Sequence, residues 1–241
     1  MRHVDETGST NADLIVAVMA GTAANRTVLA TDHQTAGRGR LDRRWDAPPG
    51  TNLLVSMVVT PIPAVPAEVT HRVGLAAVAA VRRFLATDVA PSARLKWPND
   101  VLLDGRKLAG ILAQRVPGRD AVVVGMGLNV GWAPEGAAAL GLLADHAIAD
   151  PVVTPLRLLR ALLEEFDALS GDIATQYRDA LVTIGQTVRV ELPGDTPALH
   201  GRAVAVDDSG RLVVVDAAGM SHDLDVGDVV HVRTKDGQSS V

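Results

Sequence analysis

The sequence predicts an α+β chain, with a larger domain over residues 1–184 in which strands and helices alternate and a small all-β domain over residues 185–235. Two observations carry this. Up to about residue 184 the apolar spacing switches between the helical and the strand period, and from Gln186 onward only short strand-length runs separated by turn residues remain. In chain order, Ser9-Thr10-Asn11 offers side-chain caps ahead of a short apolar helix that stops near Gly21. Residues 27–31 and 52–60, rich in Val and Leu, read as strands. Val69, Val73, Ala76, Ala77, Ala80, Val81 and Phe84 give residues 66–85 one buried helical face. Three short strands follow at 94–97, 101–103 and 108–114, joined by Pro98-Asn99-Asp100 and by the hairpin dipeptide Asp104-Gly105. Residues 122–130 form another strand. Thr154 caps and Pro155 opens an amphipathic helix through Leu156, Leu159, Leu163 and Phe166, whose leucines are expected in the core, and a further helix covers 173–181.

The second domain reads as strands at 187–192, 199–206, 212–216, 221–224 and 229–232, with a turn at Pro193-Gly194-Asp195 between the first two. Five short strands in so little chain suggest a small SH3-like barrel, marginal alone and packed on the larger domain. Residues 236–241 are expected to be a flexible tail.

Composition narrows the function classes. At 241 residues and 47% apolar the chain can bury a large core, which the 2% aromatic content makes aliphatic. A net charge of −5 argues against general nucleic-acid binding, which depends on excess Lys and Arg. With no cysteine there is no disulfide framework and no thiolate metal site, and a reducing compartment is the expectation. The first residues lack the apolar stretch of a signal peptide, and residues 73–81 are too short to span a bilayer. The expectation is a soluble cytoplasmic protein, a monomer or weak dimer, with no nucleic-acid or membrane partner.

Against this acidic background the run Gln34-Thr35-Ala36-Gly37-Arg38-Gly39-Arg40 stands out. Its glycines let backbone N–H groups turn toward a ligand, and its arginines deliver planar forks suited to carboxylate and phosphate oxygens. Together with Lys96-Trp97-Pro98-Asn99-Asp100 and Arg106-Lys107-Leu108-Ala109-Gly110, it describes a site for an anion carrying more charge than one carboxylate. Taken singly these motifs have plainer readings: Ser9-Thr10-Asn11 as a helix cap, Lys96 to Asp100 as a strand end and turn with Trp97 in the core, Gly125-Met126-Gly127 as close packing in a buried strand. The last is no dinucleotide fingerprint, because Val130 stands where the third glycine belongs.

Taken jointly and in order, Ser9-Thr10-Asn11, Gln34 to Arg40, Lys96 to Asp100, Arg106 to Leu112 and Gly125 to Val130 resemble the signature set of biotin protein ligases, over most of residues 3–130. The resemblance implies a mixed sheet backed by helices, like that of class II aminoacyl-tRNA synthetases. It implies activation of biotin with ATP and Mg²⁺ as biotinyl-5′-adenylate, then transfer to a lysine of the biotin carboxyl carrier domain of an acetyl-CoA or acyl-CoA carboxylase. By resemblance Lys107, Arg38 and Arg40 neutralise the reacting anions and Asp100 orients or deprotonates the acceptor lysine. Ser9, Thr10, Asn11, Gln34, Gly37, Gly39 and Gly110, with those cations, hold biotin. Arg43, Trp45, Asn99 and Asn129 fall on adenylate-contacting positions.

Two features depart from that pattern. Relatives commonly have glycine where Asp42 stands, and only eight residues precede Ser9, so the DNA-binding repressor domain of some relatives is not expected. Two other functions compete. An octanoyl or lipoyl transferase on the same fold is disfavoured by the polar Ser9, Thr10, Gln34 set, since a fatty chain prefers an apolar pocket; a non-enzymatic module that binds biotin or a carrier domain is the other.

Overall fold

The computed structural model describes residues 1–231, apart from Asp42, Pro151, residues 193–195 and Val226. The turn at Pro193-Gly194-Asp195, the end of the strand expected to residue 232 and the 236–241 tail therefore lie outside the described residues.

A seven-stranded mixed sheet forms the larger domain. Its first strand, β1 (Arg2–Thr7), lies parallel to β2 (Val28–Gln34), and the remaining neighbours are antiparallel: β3 (Leu53–Val59), β7 (Val122–Leu128), β6 (Arg106–Arg115), β5 (Asp100–Leu103) and β4 (Ala93–Lys96), in that spatial order. β1 was not anticipated, because Arg-His-Val-Asp-Glu-Thr carries almost no apolar signal; it is an exposed edge strand held by its ladder to β2.

Alternating side chains send the sheet's residues to opposite faces. On one face α1 (Thr10–Met19) sets Leu14 and Val18 against Leu29, Val58 and Val123. On the other, α2 (Glu68–Arg82) and α3 (Pro155–Ala168) cover Val28, Ala30, Met57 and Val124. The apolar positions anticipated for α2, from Val69 to Phe84, are all buried. For α3 the expectation needs correction: Leu156 is 64% exposed, and the buried face is Leu158, Leu159, Ala161 and Leu162. Two helical residues turn the chain through about 200°, so Leu156 points away from the side that Leu158 buries. Asp104 and Gly105 both have positive φ (49° and 69°), as their tight hairpin requires.

Next come α4 (Ile173–Ala180) and the antiparallel strands β8 (Thr187–Glu191), β9 (Leu199–Val206), β10 (Leu212–Val215), β11 (Ser221–Leu224) and β12 (Asp228–His231). Their order is β11-β10-β9-β8-β12, an open sheet among the described residues, so closure of the SH3-like barrel expected from the strand count is not shown. The sheet is nonetheless curled. Leu224 and Asp228, on the two edge strands, are joined by chain that spans at most about 15 Å, whereas a flat sheet would separate the edges by about 19 Å. Among the described residues no helix is long and apolar enough to cross a membrane.

His71 of α2 lies 6% exposed where α4 packs on α2, its ring stacked on Tyr177 at 3.7 Å. Burial, with a smaller contribution from the Arg178 charge, lowers its pKa from 6.5 to about 4. The unfolded chain therefore binds the extra proton between those values, so the stability contributed by neutral His71 is complete above pH 6.5 and is lost as pH falls toward 4. The loss amounts to about 3 kcal/mol. A His71→Gln variant should show a flatter decline of its melting midpoint across this window than the parent; parallel declines would place the acid sensitivity elsewhere.

Candidate functional site

A cleft of about 240 Å³ opens on the α1 face of the sheet. The register explains its floor. Asp100 pairs with Gly110 and Gly110 with Gly127; in the next row Leu112 pairs with Gly125 and Gly125 with Ser56. Cross-strand partners share a face, so three glycines remove side chains from one patch of sheet. A Cβ on Gly127 would run into the Trp45 indole, one on Gly110 would lie 3.2 Å from Trp45 Cζ3, and one on Gly125 would strike the Asn11 amide oxygen. Gly110 thus makes room for Trp45 and for Lys107, whose Cε and Nζ would lie 3.4 Å from such a Cβ. Gly125→Ala should leave folding largely intact but weaken ligand binding by ~10-fold or more, through displacement of Asn11. Calorimetry with biotin tests this, and unchanged affinity would show that the Asn11 position is irrelevant.

Lys107 reaches the cleft because of an irregularity. In an unbroken strand Lys107 and Gly110 would face opposite ways. The β5–β6 ladder shifts register between Val101, which pairs with Ala109, and Leu102, which pairs with Lys107. This bulge turns Lys107 to the face of Asp100 and Gly110 while both Leu108 and Ala109 stay in the core. Lys107 Nζ then lies 2.7 Å from Asp100 Oδ1 and 5.9 Å from the centre of the Trp45 ring.

The glycine-arginine run forms a tight hairpin over one end. Arg38 bridges Arg44, the Gly39 N–H donates to the Arg43 carbonyl at 2.7 Å and the Trp45 N–H to the Gly37 carbonyl at 3.0 Å. Gly37 is excluded from the lining but required: a Cβ there would strike the Trp45 carbonyl. Arg40 Nη1 donates to Asn99 Oδ1 at 3.2 Å, and the Asn99 amide donates to the Ile111 carbonyl at 2.7 Å. Among the described residues, Arg38, Arg40, Arg43, Arg44 and Lys107 line the cleft with Asp46 and Asp100, five cations to two carboxylates. This excess is local, on a chain whose net charge is −5.

The other end is neutral and polar. Ser9 occupies the N-cap of α1 but makes no side-chain cap, and Thr10 turns inward. The Thr10 N–H donates to Gln34 Oε1 at 2.9 Å, which fixes the amide's orientation; the Asn11 amide N–H₂ donates to the Leu112 carbonyl at 3.2 Å and Gln114 Oε1 at 2.7 Å. Between these pinned ends run Gln34 Oε1 to Thr10 Oγ1 (3.0 Å), Thr10 Oγ1 to Ser56 Oγ (2.6 Å) and Ser56 Oγ to Asn11 Oδ1 (2.6 Å). Two hydroxyl hydrogens serve three contacts, so this end has a surplus of acceptors and suits a ligand that brings N–H donors.

Ser56 was not anticipated, since a serine inside Leu-Leu-Val-Ser-Met-Val-Val reads as a strand residue; its burial in an otherwise aliphatic run was the available signal. Asn52 was also missed. It accepts from the Val130 N–H at 2.9 Å and donates to Asn129 Oδ1 at 3.3 Å, while the Asn129 amide donates to the Ala138 carbonyl. Asn129 therefore lines the cleft with its amide already engaged. Gly227, between β11 and β12 of the C-terminal sheet, lines the cleft as well. Asp42 lies outside the described residues. Among them the one group with metal-ligand spacing, His3, Asp5 and Asp32, is exposed on β1 and β2 and absent from the lining.

Residues 9–130 match the model of the biotin/lipoate A/B protein ligase family, and residues 183–232 that of the biotin protein ligase C terminal domain. The chain is 42% identical over 240 residues to a biotin--[acetyl-CoA-carboxylase] ligase of Mycobacterium tuberculosis, covering 95% of this chain and 88% of that one. It is 34% identical over 229 residues to the ligase of the same name from Paracoccus denitrificans, covering 88% and 93%. In fold it resembles the biotin protein ligase from Aquifex aeolicus in complex with biotin and ATP, with a TM-score of 0.74 at 23% identity over 97% of this chain and 98% of that one. With the glycine floor, the cationic hairpin and the acceptor-rich end in one cleft, these likenesses show that the chain belongs to the biotin protein ligase family.

Proposed function

We propose that the chain activates biotin with ATP, forming biotinyl-5′-AMP and pyrophosphate, and then transfers the biotinyl group to a lysine of the biotin carboxyl carrier domain of an acetyl-CoA or acyl-CoA carboxylase. The observation that carries this reading is the division of one cleft into a neutral end rich in acceptors and an end where, among the described residues, five cations meet two carboxylates. The ureido ring of biotin brings the N–H donors the first end lacks. The second suits a carboxylate meeting a triphosphate, two anions that repel each other until cations lie between them.

In the first step a biotin carboxylate oxygen attacks the α-phosphorus, the bond to the bridging oxygen breaks and pyrophosphate leaves with that electron pair. Lys107, aimed by its bulge, is assigned to the carboxylate and α-phosphate, and Arg38 and Arg40 to the same oxygens from the hairpin. Ser9, Thr10 and Gln34 are assigned to the ureido ring, with Asn11 holding Ser56 behind them. Gly110 and Gly39 permit close approach. Arg43, Trp45, Asn99 and Asn129 are assigned to the adenylate side, Asn129 as a wall. In the second step the acceptor amine attacks the biotinyl carbonyl carbon and AMP leaves; Asp100, freed when Lys107 turns to the adenylate, is assigned to the amine's proton. Mg²⁺ fits the site only in a limited way. Of the described lining carboxylates, Asp100 carries Lys107 at 2.7 Å and Asp46 carries Arg44 at 3.3 Å, so among the described residues no dedicated cage is offered, and the ion would serve to offset phosphate charge. We read the curled C-terminal sheet as an SH3-like module over residues 185–235, completing the cleft through Gly227.

Incubation with biotin, ATP and an isolated carrier domain should add one biotinyl mass to that domain, and a carrier whose acceptor lysine is replaced by arginine should gain none. Equal labelling of both carriers would count against directed transfer.

A further inference from the structure

We propose that Tyr177, the chain's single tyrosine, is a positioning residue for the reaction proposed above, holding the turn that carries Asn99 and Asp100 against Arg40 and Lys107. On its cleft side that turn is tied to β6 by the Asn99 amide on the Ile111 carbonyl and by the Ile111 N–H on the Asn99 carbonyl. Its back is held by the chain's second half. The Tyr177 hydroxyl donates to the Pro98 carbonyl at 3.3 Å, the Trp97 indole N–H donates to the Gly210 carbonyl at 3.0 Å, and the Trp97 N–H donates to Thr183 Oγ1 at 3.0 Å. Tyr177 itself is fixed: it is 3% exposed and stacked on His71, and the next residue, Arg178, clamps α4 to the C-terminal sheet by donating from Nε to the Val206 carbonyl at 2.8 Å. The turn that meets Arg40 and Lys107 is therefore set from behind by α4 and the C-terminal sheet.

Tyr177 also senses the cleft's charges. Burial raises its phenol pKa, Arg40 opposes that rise and Asp100 adds to it, so the hydroxyl stays protonated and serves as a donor under working conditions. At 3.3 Å its bond to Pro98 is long for a hydroxyl donor and contributes little to stability. Its effect falls on where the turn sits, and small displacements of groups that orient reacting atoms lower rates steeply.

Tyr177→Phe removes the hydroxyl and keeps the stacked ring. The readout is the pyrophosphate burst with biotin and ATP, whose amplitude counts competent sites and whose rate reports adenylation. The expected result is an unchanged amplitude and melting midpoint, a burst rate lowered by about 10-fold, and a KM for biotin within about two-fold of the parent, because the Ser9, Thr10 and Gln34 end lies away from the turn. In an Asn99→Ala background the same change should have little further effect, since both act through one contact. A burst rate within about two-fold of the parent overturns the proposal, as does a loss that appears in amplitude and melting midpoint alone, the mark of packing. Full multiplication of the two effects also overturns it. A parent protein with no burst would instead overturn the ligase reading, and this proposal with it.

Discussion

Lys107→Ala is expected to slow biotin adenylation by ~100-fold or more while leaving the far-ultraviolet circular dichroism unchanged. Lys107 is half exposed at the start of β6 and its removal leaves the buried Leu108 and Ala109 in place, so the fold does not depend on it. The proposed chemistry does: the bulge in the β5–β6 ladder aims this ammonium at the face where Gly110 and Gly127 clear the floor. Loss of a preorganised cation facing two anions costs on the order of 3 kcal/mol of transition-state stabilisation. Rapid-quench measurement of pyrophosphate release checks it. A variant that adenylates at close to the parental rate would remove Lys107 from the reaction.

Arg40→Gly is expected to leave adenylate synthesis running while the adenylate escapes at least ~10-fold faster, because weaker holding on one side of a bound molecule shows mainly in its dissociation rate. The Arg40 guanidinium reaches across from the hairpin to the β4–β5 turn, at Asn99 Oδ1. Without that link the hairpin should close less firmly against the turn. Released biotinyl-adenylate is a mixed anhydride that acylates exposed lysines without recognition. Biotin incorporation into serum albumin, followed beside the carrier domain, should rise in the variant. Bystander labelling no higher than in the parent, with normal pyrophosphate release, would assign the latch to another group such as Arg43.

Much of this architecture was legible in the residues. α2 was readable because an aliphatic face at helical spacing has one stable placement, against the sheet, and every apolar position anticipated from Val69 to Phe84 obeyed it. Helix α3 showed the limit of spacing alone, since leucines surround that helix and periodicity could not say that Leu158 and Leu162, not Leu156, face inward. β1 was invisible because its stability comes from a backbone ladder to β2 and hardly from its polar side chains. Closure of the SH3-like barrel was not legible for a related reason: strand count is written in the sequence, but whether the edges of a curled sheet meet depends on twist and register.

The site shows the same division. Charged groups in glycine-rich loops were recognisable because few structural roles call for them there, and Ser9, Thr10, Gln34, Arg38, Arg40, Arg43, Trp45, Asn99, Asp100, Lys107 and Gly110 converge on one cleft. What could not be read were supports supplied by other strands. Ser56 and Asn52 sit in β3 or beside it, and their importance appears only once β7 is placed alongside. Tyr177 lies far from Pro98 in sequence, and only the fold brings them together. The bulge at Lys107 is likewise a property of two strands at once.

The specificity of the cleft is tested most directly by the pyrophosphate burst of the intact protein with ATP and three carboxylic acids, biotin, octanoate and lipoate, each compared at equal concentration. The surplus of acceptors at Gln34, Thr10, Ser56 and Asn11 should confine a stoichiometric burst to biotin, the one acid of the three that carries ring N–H donors. A burst of equal size with octanoate or lipoate, or none with biotin, would contradict it.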